Sequence, residues 1–168
     1  RMESDKNLAA TQPLILDFPH KKTIWNAGGS FNTFFGLSKT RLKGVTYKPK
    51  LKIQTFTDWI SGCCILVKIQ AVKEVGLLDN HFFAYFEDVD WSIRMKNQGY
   101  KLGVVPKSII YHHSSGSTKK NNTSNEGNLS PYAHYLNVRN HIYLINKHTL
   151  FFNSVGTSVY QILKITSY

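Results

Sequence analysis

Cysteine is nearly absent: Cys63 and Cys64 stand side by side and are the only two in 168 residues. Adjacent residues are badly placed to bridge each other, and two thiols are too few for a disulfide framework or a metal knuckle. A reducing, cytoplasmic setting is therefore expected. Acids are scarce as well, ten Asp and Glu against 21 Lys and Arg, for a net charge of +11. That imbalance favours anionic partners, whether nucleic acid, phosphorylated small molecules or an acidic membrane face, without choosing among them. No apolar run approaches the ~18 residues needed to span a bilayer, and the opening Arg1-Met2-Glu3-Ser4-Asp5 lacks a signal-peptide core. The expectation is a soluble chain, or one lying peripherally on the inner face of a membrane.

Packing material is not lacking. Hydrophobic residues make up 42% and aromatics 13%, which excludes a disordered or fibrous class, and the length suits one domain or most of one. Residues 1–11 read as the tail of a helix or a frayed end, followed by a short strand at Leu14-Ile15-Leu16 between Pro13 and Pro19. Aromatics alternate with glycines from 23 to 50, a composition that predicts packed irregular loop. A strand is predicted over 57–68, opened by the small residues Ser61-Gly62; glycine inside a strand gives up packing, and one reason is close approach by a ligand or another backbone. Residues 69–75 predict a short helix stopped by Gly76.

Helical spacing from 88 to 98 predicts a second helix, with Gly99 placed for a left-handed cap. Two short strands follow around Pro106, at 102–105 and 109–111. Residues 114–130, almost wholly Ser, Thr, Asn, Gly and Lys, predict a mobile loop. Ser130-Pro131 then reads as an N-cap and first helical position. The order points to an α/β sandwich around a mixed sheet.

Chemistry concentrates in one place. Glu87, Asp88 and Asp90 put three of the ten acids within four positions, directly after the apolar run Phe82-Phe83-Ala84-Tyr85-Phe86. Like charges so close must be solvated or given partners. At a helix N-terminus they would meet the positive end of the dipole, worth about 0.3–1 kcal/mol each. Simple capping needs one acid, not three. Asp88 shares a helix face with Trp91 and Glu87 shares one with Asp90, so one acid can face a site while another is held by the scaffold. Asp88-Val89-Asp90 also matches D-x-D, but it leads into a helix rather than standing in an open loop after a strand, which argues against a metal-diphosphate role. His112 and His113 end an apolar strand beside the flexible segment; their side chains point to opposite faces, so one of the two is expected to enter a given site. The remaining histidines, such as His20 and His148, show no metal spacing and read as surface.

Several strings together resemble a known family: Trp25-Asn26-Ala27-Gly28-Gly29, Trp59-Ile60-Ser61-Gly62-Cys63, Val75-Gly76-Leu77-Leu78-Asp79, Phe82 through Asp90, Arg94, Gly99-Tyr100, Pro106, His112 and Tyr135-Leu136-Asn137-Val138-Arg139-Asn140. Their order over roughly residues 8–148 is similar to the family 2 inverting glycosyltransferases of the GT-A fold, in the rhamnosyltransferase-like branch of bacterial polysaccharide assembly. The resemblance implies transfer of a sugar from a nucleotide diphosphate sugar to an acceptor hydroxyl, with inversion. By that resemblance Asp88 is the general base, and Trp59, Ser61 and Gly62, with Glu87, Asp90 and Trp91, make the substrate side. His112 completes the coordination of a divalent cation, Mn or Mg, that neutralises the leaving diphosphate.

The family's first half, with its nucleotide-binding strands and its own D-x-D, has no counterpart before Leu8. The expectation is thus a partial GT-A-type sandwich, residues 1–148, lacking the N-terminal nucleotide-binding half and inactive alone, with an amphipathic extension over 149–168. Its expected partners are that missing half and a saccharide or lipid-linked saccharide acceptor, not nucleic acid. An open sheet edge should favour self-association. Two other classes compete: a basic nucleic-acid-binding module, weakened by the spread of the basic residues and the absence of a ribonucleoprotein string, and a non-catalytic membrane-surface module built on Leu150-Phe151-Phe152 and the apolar stretch 159–165.

Overall fold

The computed structural model describes residues 2–20, 22–34, 36–113, 130–149 and 155–156. The loop expected at 114–130 lies outside them except for Ser130, as does nearly all of the extension expected at 149–168. The fold is mixed α/β. A five-stranded sheet runs in the order β2 (Ile24–Asn26), β1 (Leu8–Asp17), β7 (Lys101–His112), β5 (Phe56–Thr57), with β6 (Leu66–Val67) also on β1. Strands β1 and β7 are parallel; the other pairings are antiparallel. A separate hairpin joins β3 (Gly29–Asn32) to β4 (Leu37–Thr40). Helices α1 (Ile69–Val75), α2 (Glu87–Asn97) and α3 (Pro131–His148) complete it.

Strand β1 is the centre, buried at every position but its last. One edge pairs with β7 along its length, while the other takes β6 at Ala10 and Thr11 and β2 at Ile15 and Leu16. That is why 8–11 form strand rather than a frayed end: Ala9-Ala10-Thr11-Gln12 has little strand propensity of its own, and tertiary pairing supplies what propensity does not. Strand β7 is continuous where two strands are expected. Pro106 falls at a register shift, Pro13 facing Val105 and Leu14 facing Ile109, so the proline without an N–H sits in a bulge and the strand continues past it.

Two other expectations are corrected. Residues 23–50 are not irregular throughout, since they contain β2 and the hairpin. A Cβ on Gly29 would lie 1.9 Å from the Trp59 indole, and one on Gly28, at φ +84°, would lie 2.5 Å from Thr57 Oγ1. Gly29 therefore lets Trp59 lie against the hairpin backbone, and Gly28 lets Thr57 approach beside it. Conversely, 57–68 is not one strand, because side chains take its ladder bonds: Ile60 N donates to Ser92 Oγ (3.2 Å) and Ser61 N to Gln12 Oε1 (2.7 Å).

The helix signals act locally, as read. Gly76 (φ +78°) ends α1, Gly99 (φ +84°) follows α2, and Ser130 Oγ accepts from Ala133 N at 3.2 Å to open α3. Against the sheet, α1 and α2 bury Ala71, Trp91 and Met95 on Ala9, Ala10 and Leu102. Between α2 and α3, Phe82, Val89, Ile93 and Leu144 close around Trp59. Phe82 is wholly buried, a contribution of about 1.5–3 kcal/mol.

Candidate functional site at the start of helix α2

The acidic cluster divides, but not into the face pairs expected: Asp88 and Glu87 lie together beside Gly62, while Asp90 and Trp91 are buried. Asp88 is half-buried and points toward the 61–62 turn, where its Oδ2 accepts from the Gly62 amide at 2.7 Å; its Oδ1 accepts from Val89 N at 2.8 Å. Burial raises its pKa above the usual carboxylate value, only partly offset by these amides. Glu87 beside it is raised too, first by burial and then by the charge of Asp88. Its Oε2 is buried without a hydrogen-bond partner. Two carboxylates thus crowd behind a glycine that is itself exposed. A Cβ at residue 62 would sit 3.4 Å from Asp88 Cβ and 3.6 Å from Glu87 Oε1, ordinary contact distances. Space alone does not demand the glycine; what it does is leave Asp88 with no side chain over it from residue 62.

Asp90 turns the other way. It is fully buried and meets His148 Nε2 at 2.7 Å, Lys147 Nζ at 2.9 Å and Arg94 Nε at 2.9 Å. Burial on its own would raise its pKa, but these three donors outweigh it and hold the carboxylate below the usual range. A residue expected to touch substrate is instead the ionic joint between α2 and α3. Trp91 is likewise inside, its indole donating to Gly76 O at 2.9 Å. Trp59 is buried with its Nε1 donating to Ser30 O at 3.3 Å, and Ser61 is buried beneath the turn. Of the residues expected to make substrate contacts, Gly62 and Glu87 stay at the open face with Asp88.

The approach to α2 is strained. Phe83, Tyr85 and Phe86 all have left-handed backbone, with φ of 59°, 70° and 69°. Such conformations cost about 1–2 kcal/mol each for residues with a Cβ. The compensation comes from α3. Asn140, wholly buried, donates through Nδ2 to the carbonyls of Phe82 (2.7 Å), Ala84 (2.6 Å) and Tyr85 (2.9 Å). Arg139 Nη2 adds bonds to His81 O and Phe82 O, and the Phe86 ring stacks on buried His141 at 5.1 Å. Sequence reasoning placed Arg139 and Asn140 in a family string without a role. It read His148 as surface and gave His141 no role: the structure makes both partners of the scaffold, His141 buried and His148 bonded to Asp90, and the only sequence hint was their position on the α3 face that carries Leu144 and Ile145.

His112 has other neighbours. At the end of β7 it faces Asp17 in register, and its ring lies 4.2 Å from that of Trp25. Burial lowers its pKa despite the opposing charge of Asp17, so the ring is neutral near neutrality, as a metal ligand must be. Its Nδ1 is buried with no hydrogen-bond partner. Those features fit one ligand of a divalent metal. They do not make a whole site, since no three His, Cys, Asp or Glu side chains are grouped to hold a metal among the described residues. Nor does any described contact join His112 to Asp88. Both cysteines are free, and burial pushes the Cys63 thiol up and so keeps it protonated.

No family model matches the chain. It is 33% identical over 91 residues to the N-acetylglucosaminyl-diphospho-decaprenol L-rhamnosyltransferase of Mycobacterium tuberculosis, a match covering 54% of this chain and 27% of that protein. To the rhamnosyltransferase WbbL of Escherichia coli it is 30% identical over 78 residues, covering 46% of this chain and 28% of that one. The matched part thus spans about a quarter of the length of these curated relatives. No described helix is long and apolar enough to cross a membrane.

Proposed function

We propose that this chain supplies the acceptor side of a glycosyltransferase that builds a cell-envelope polysaccharide, moving a sugar from a nucleotide diphosphate donor to a hydroxyl with inversion. The observation that carries the reading is Asp88: a carboxylate with a raised pKa, fixed by two backbone amides and left uncovered by Gly62. The similarity to two rhamnosyltransferases over about half of the chain supports it.

In this reading the acceptor hydroxyl enters at Gly62. Asp88 takes its proton as the oxygen attacks the anomeric carbon from the side opposite the diphosphate, which leaves with the electron pair of the broken glycosidic bond. A positioned base of this kind contributes ~10²–10⁴ in rate. Glu87, beside Asp88 at the Gly62 turn, completes the acidic side of the site. His112 would be one ligand of a Mn or Mg ion, which when bound stabilises charge on the diphosphate. Asp90 and Trp91 act through the scaffold, and Asn140 shapes the turn that aims Asp88.

The test is transfer by the intact enzyme with a panel of nucleotide-sugars, native against Asp88→Asn. Loss of transfer with unchanged donor binding is expected; near-native transfer by a folded variant removes Asp88 from the role.

A further inference from the structure

Gln12 puts a polar amide in the middle of the central strand, buried, where β1 passes between its pairings with β6 and β2. Burying an amide costs stability unless each of its polar atoms is bonded, and here each is. Its Oε1 accepts from the Ser61 amide at 2.7 Å, and its Nε2 donates to Pro13 O at 3.2 Å and to Asn26 Oδ1 at 2.9 Å. Asn26 is buried too, and its Oδ1 also accepts from the Gly28 amide at 2.7 Å. The network cannot be reversed. Gly28 N and Ser61 N can only donate, so Asn26 must turn its oxygen inward, and Gln12 must face Asn26 with its nitrogen and Ser61 with its oxygen.

Ser61 is the middle member of a row. The successive amides of Ile60, Ser61 and Gly62 donate to three side chains instead of to a strand: Ser92 Oγ at 3.2 Å, Gln12 Oε1 at 2.7 Å and Asp88 Oδ2 at 2.7 Å. Ser92 and Asp88 both belong to α2, and Ser92 Oγ donates to Asp88 O at 2.7 Å, so two of the three anchors move with the helix. Of the three, Gln12 alone belongs to the sheet. Its removal leaves the Ser61 N–H buried without an acceptor, and a rotation at Ser61 that brings this N–H to water re-aims the Gly62 N–H, which is only one residue further on.

We infer that Gln12, oriented by Asn26, is a positioning residue for this site: it fixes the Ser61 amide and thereby the aim of the Gly62 amide at the Asp88 carboxylate. The inference deepens the sugar-transfer reading and rests on it only in calling Asp88 the base. The bond from Gly62 favours the ionised carboxylate while burial disfavours it, so losing that aim shows in how Asp88 titrates. Two titratable neighbours feel Asp88, Glu87 on its own helix and the Cys63 thiol on the turn, each raised by burial and further by the charge of Asp88, and both keep their identity in the variants below.

The test follows the Asp88 titration by carbon NMR of labelled aspartate in the intact enzyme, the signal being assigned by its loss in Asp88→Asn. Gln12→Met keeps the length and removes both hydrogen-bonding atoms; Gln12→Asn is milder, too short to reach Asn26 and Ser61 together. In each the midpoint should rise by about one pH unit, as loss of one hydrogen bond to a charged group requires. Below the midpoint kcat/KM should fall about tenfold, because the ionised base is scarcer by that factor. Leu14→Ala opens a cavity further along the same buried strand; it should lower the melting temperature and leave the midpoint within about 0.3 units of native. Gln12→Glu is the rescue. Burial drives that carboxyl to its protonated form, whose carbonyl accepts from Ser61 and whose hydroxyl donates to Asn26, so the midpoint should return to within about 0.5 units of native. An unchanged midpoint in a folded Gln12→Met or Gln12→Asn protein, an equal rise in Leu14→Ala, or no recovery in Gln12→Glu would overturn the assignment. The readout is independent of transfer: if Asp88→Asn still moves sugar, the general-base role falls, while the titration still decides whether Gln12 positions the carboxylate.

Discussion

The amide of Gly62 donates to the Asp88 carboxylate at 2.7 Å, so the acid at the head of α2 is held by a residue that has no side chain to cover it. The hydrogen bond and the exposure come from the same position. Replacing Gly62 with alanine keeps the amide and adds a methyl at ordinary contact distance, so the melting temperature should hold; replacing it with leucine should cover the carboxylate and abolish transfer. Thermal melts beside activity assays check both.

Asp88→Asn should lower turnover by at least about a hundredfold. It should not destabilise the protein. A carboxyl whose pKa is raised on folding contributes stability that is present below its unfolded value, near 3.9, and lost as pH rises through the native value. Removing the charge therefore leaves the melting temperature at neutral pH equal or higher. The activity of the native enzyme should rise with pH through a midpoint above the ordinary aspartate value.

Asp90→Asn should do the reverse. Three cationic or donor groups would be left around a neutral amide, and breaking a buried ionic cluster on one side costs about 3–5 kcal/mol. Asp79 is lowered as well, chiefly by Lys147, which also contacts Asp90. Both acids contribute stability that is complete above pH ~4 and lost as pH falls through their depressed native values. Acid titration of the unfolding free energy should show a loss below pH ~4 that shrinks in Asp90→Asn.

What was legible in the sequence was what neighbours in sequence decide. Gly76, Gly99 and the Ser130-Pro131 pair mark helix ends through local backbone and capping geometry, and the structure has them there. The acidic cluster was visible as an anomaly of spacing. What distant residues decide was not visible. The first half of β1 is strand because β6 and β7 pair with it, and 58–65 leaves the sheet because Gln12 and Ser92 take its amides. The inward turn of Asp90 depends on His148, a helix away, and a surface reading of that histidine followed from spacing alone.

Asn140→Ala would strip three carbonyls of their shared donor, a loss of roughly 2–4 kcal/mol at the usual net worth of such bonds. The turnover number should fall more than KM rises, because Asn140 touches the turn and not the substrate. Limited proteolysis within 81–86 should accelerate in the same variant. If cleavage and turnover both stay native, the turn holds its shape without α3.

For the metal, His112→Ala should weaken activation by Mn or Mg while His113→Ala leaves it near native, since the His112 ring is the one with a buried, unpartnered nitrogen. Metal titrations of activity on both variants compare them. A larger effect at His113 would reverse the assignment.

The clamp from Asn140 onto residues 82–85 also sets an order of events during synthesis. A nascent chain that has emerged only as far as His113 already holds Glu87, Asp88 and Gly62, yet it lacks the Asn140 amide that bonds the carbonyls around Phe83, Tyr85 and Phe86, whose backbone is left-handed. Until the ribosome has delivered Asn140, the carbonyls of Phe82, Ala84 and Tyr85 lack their shared donor, while the amides of Gly62 and Val89 that hold Asp88 are already present. The acid is thus placed early, and the turn that leads into it is locked late.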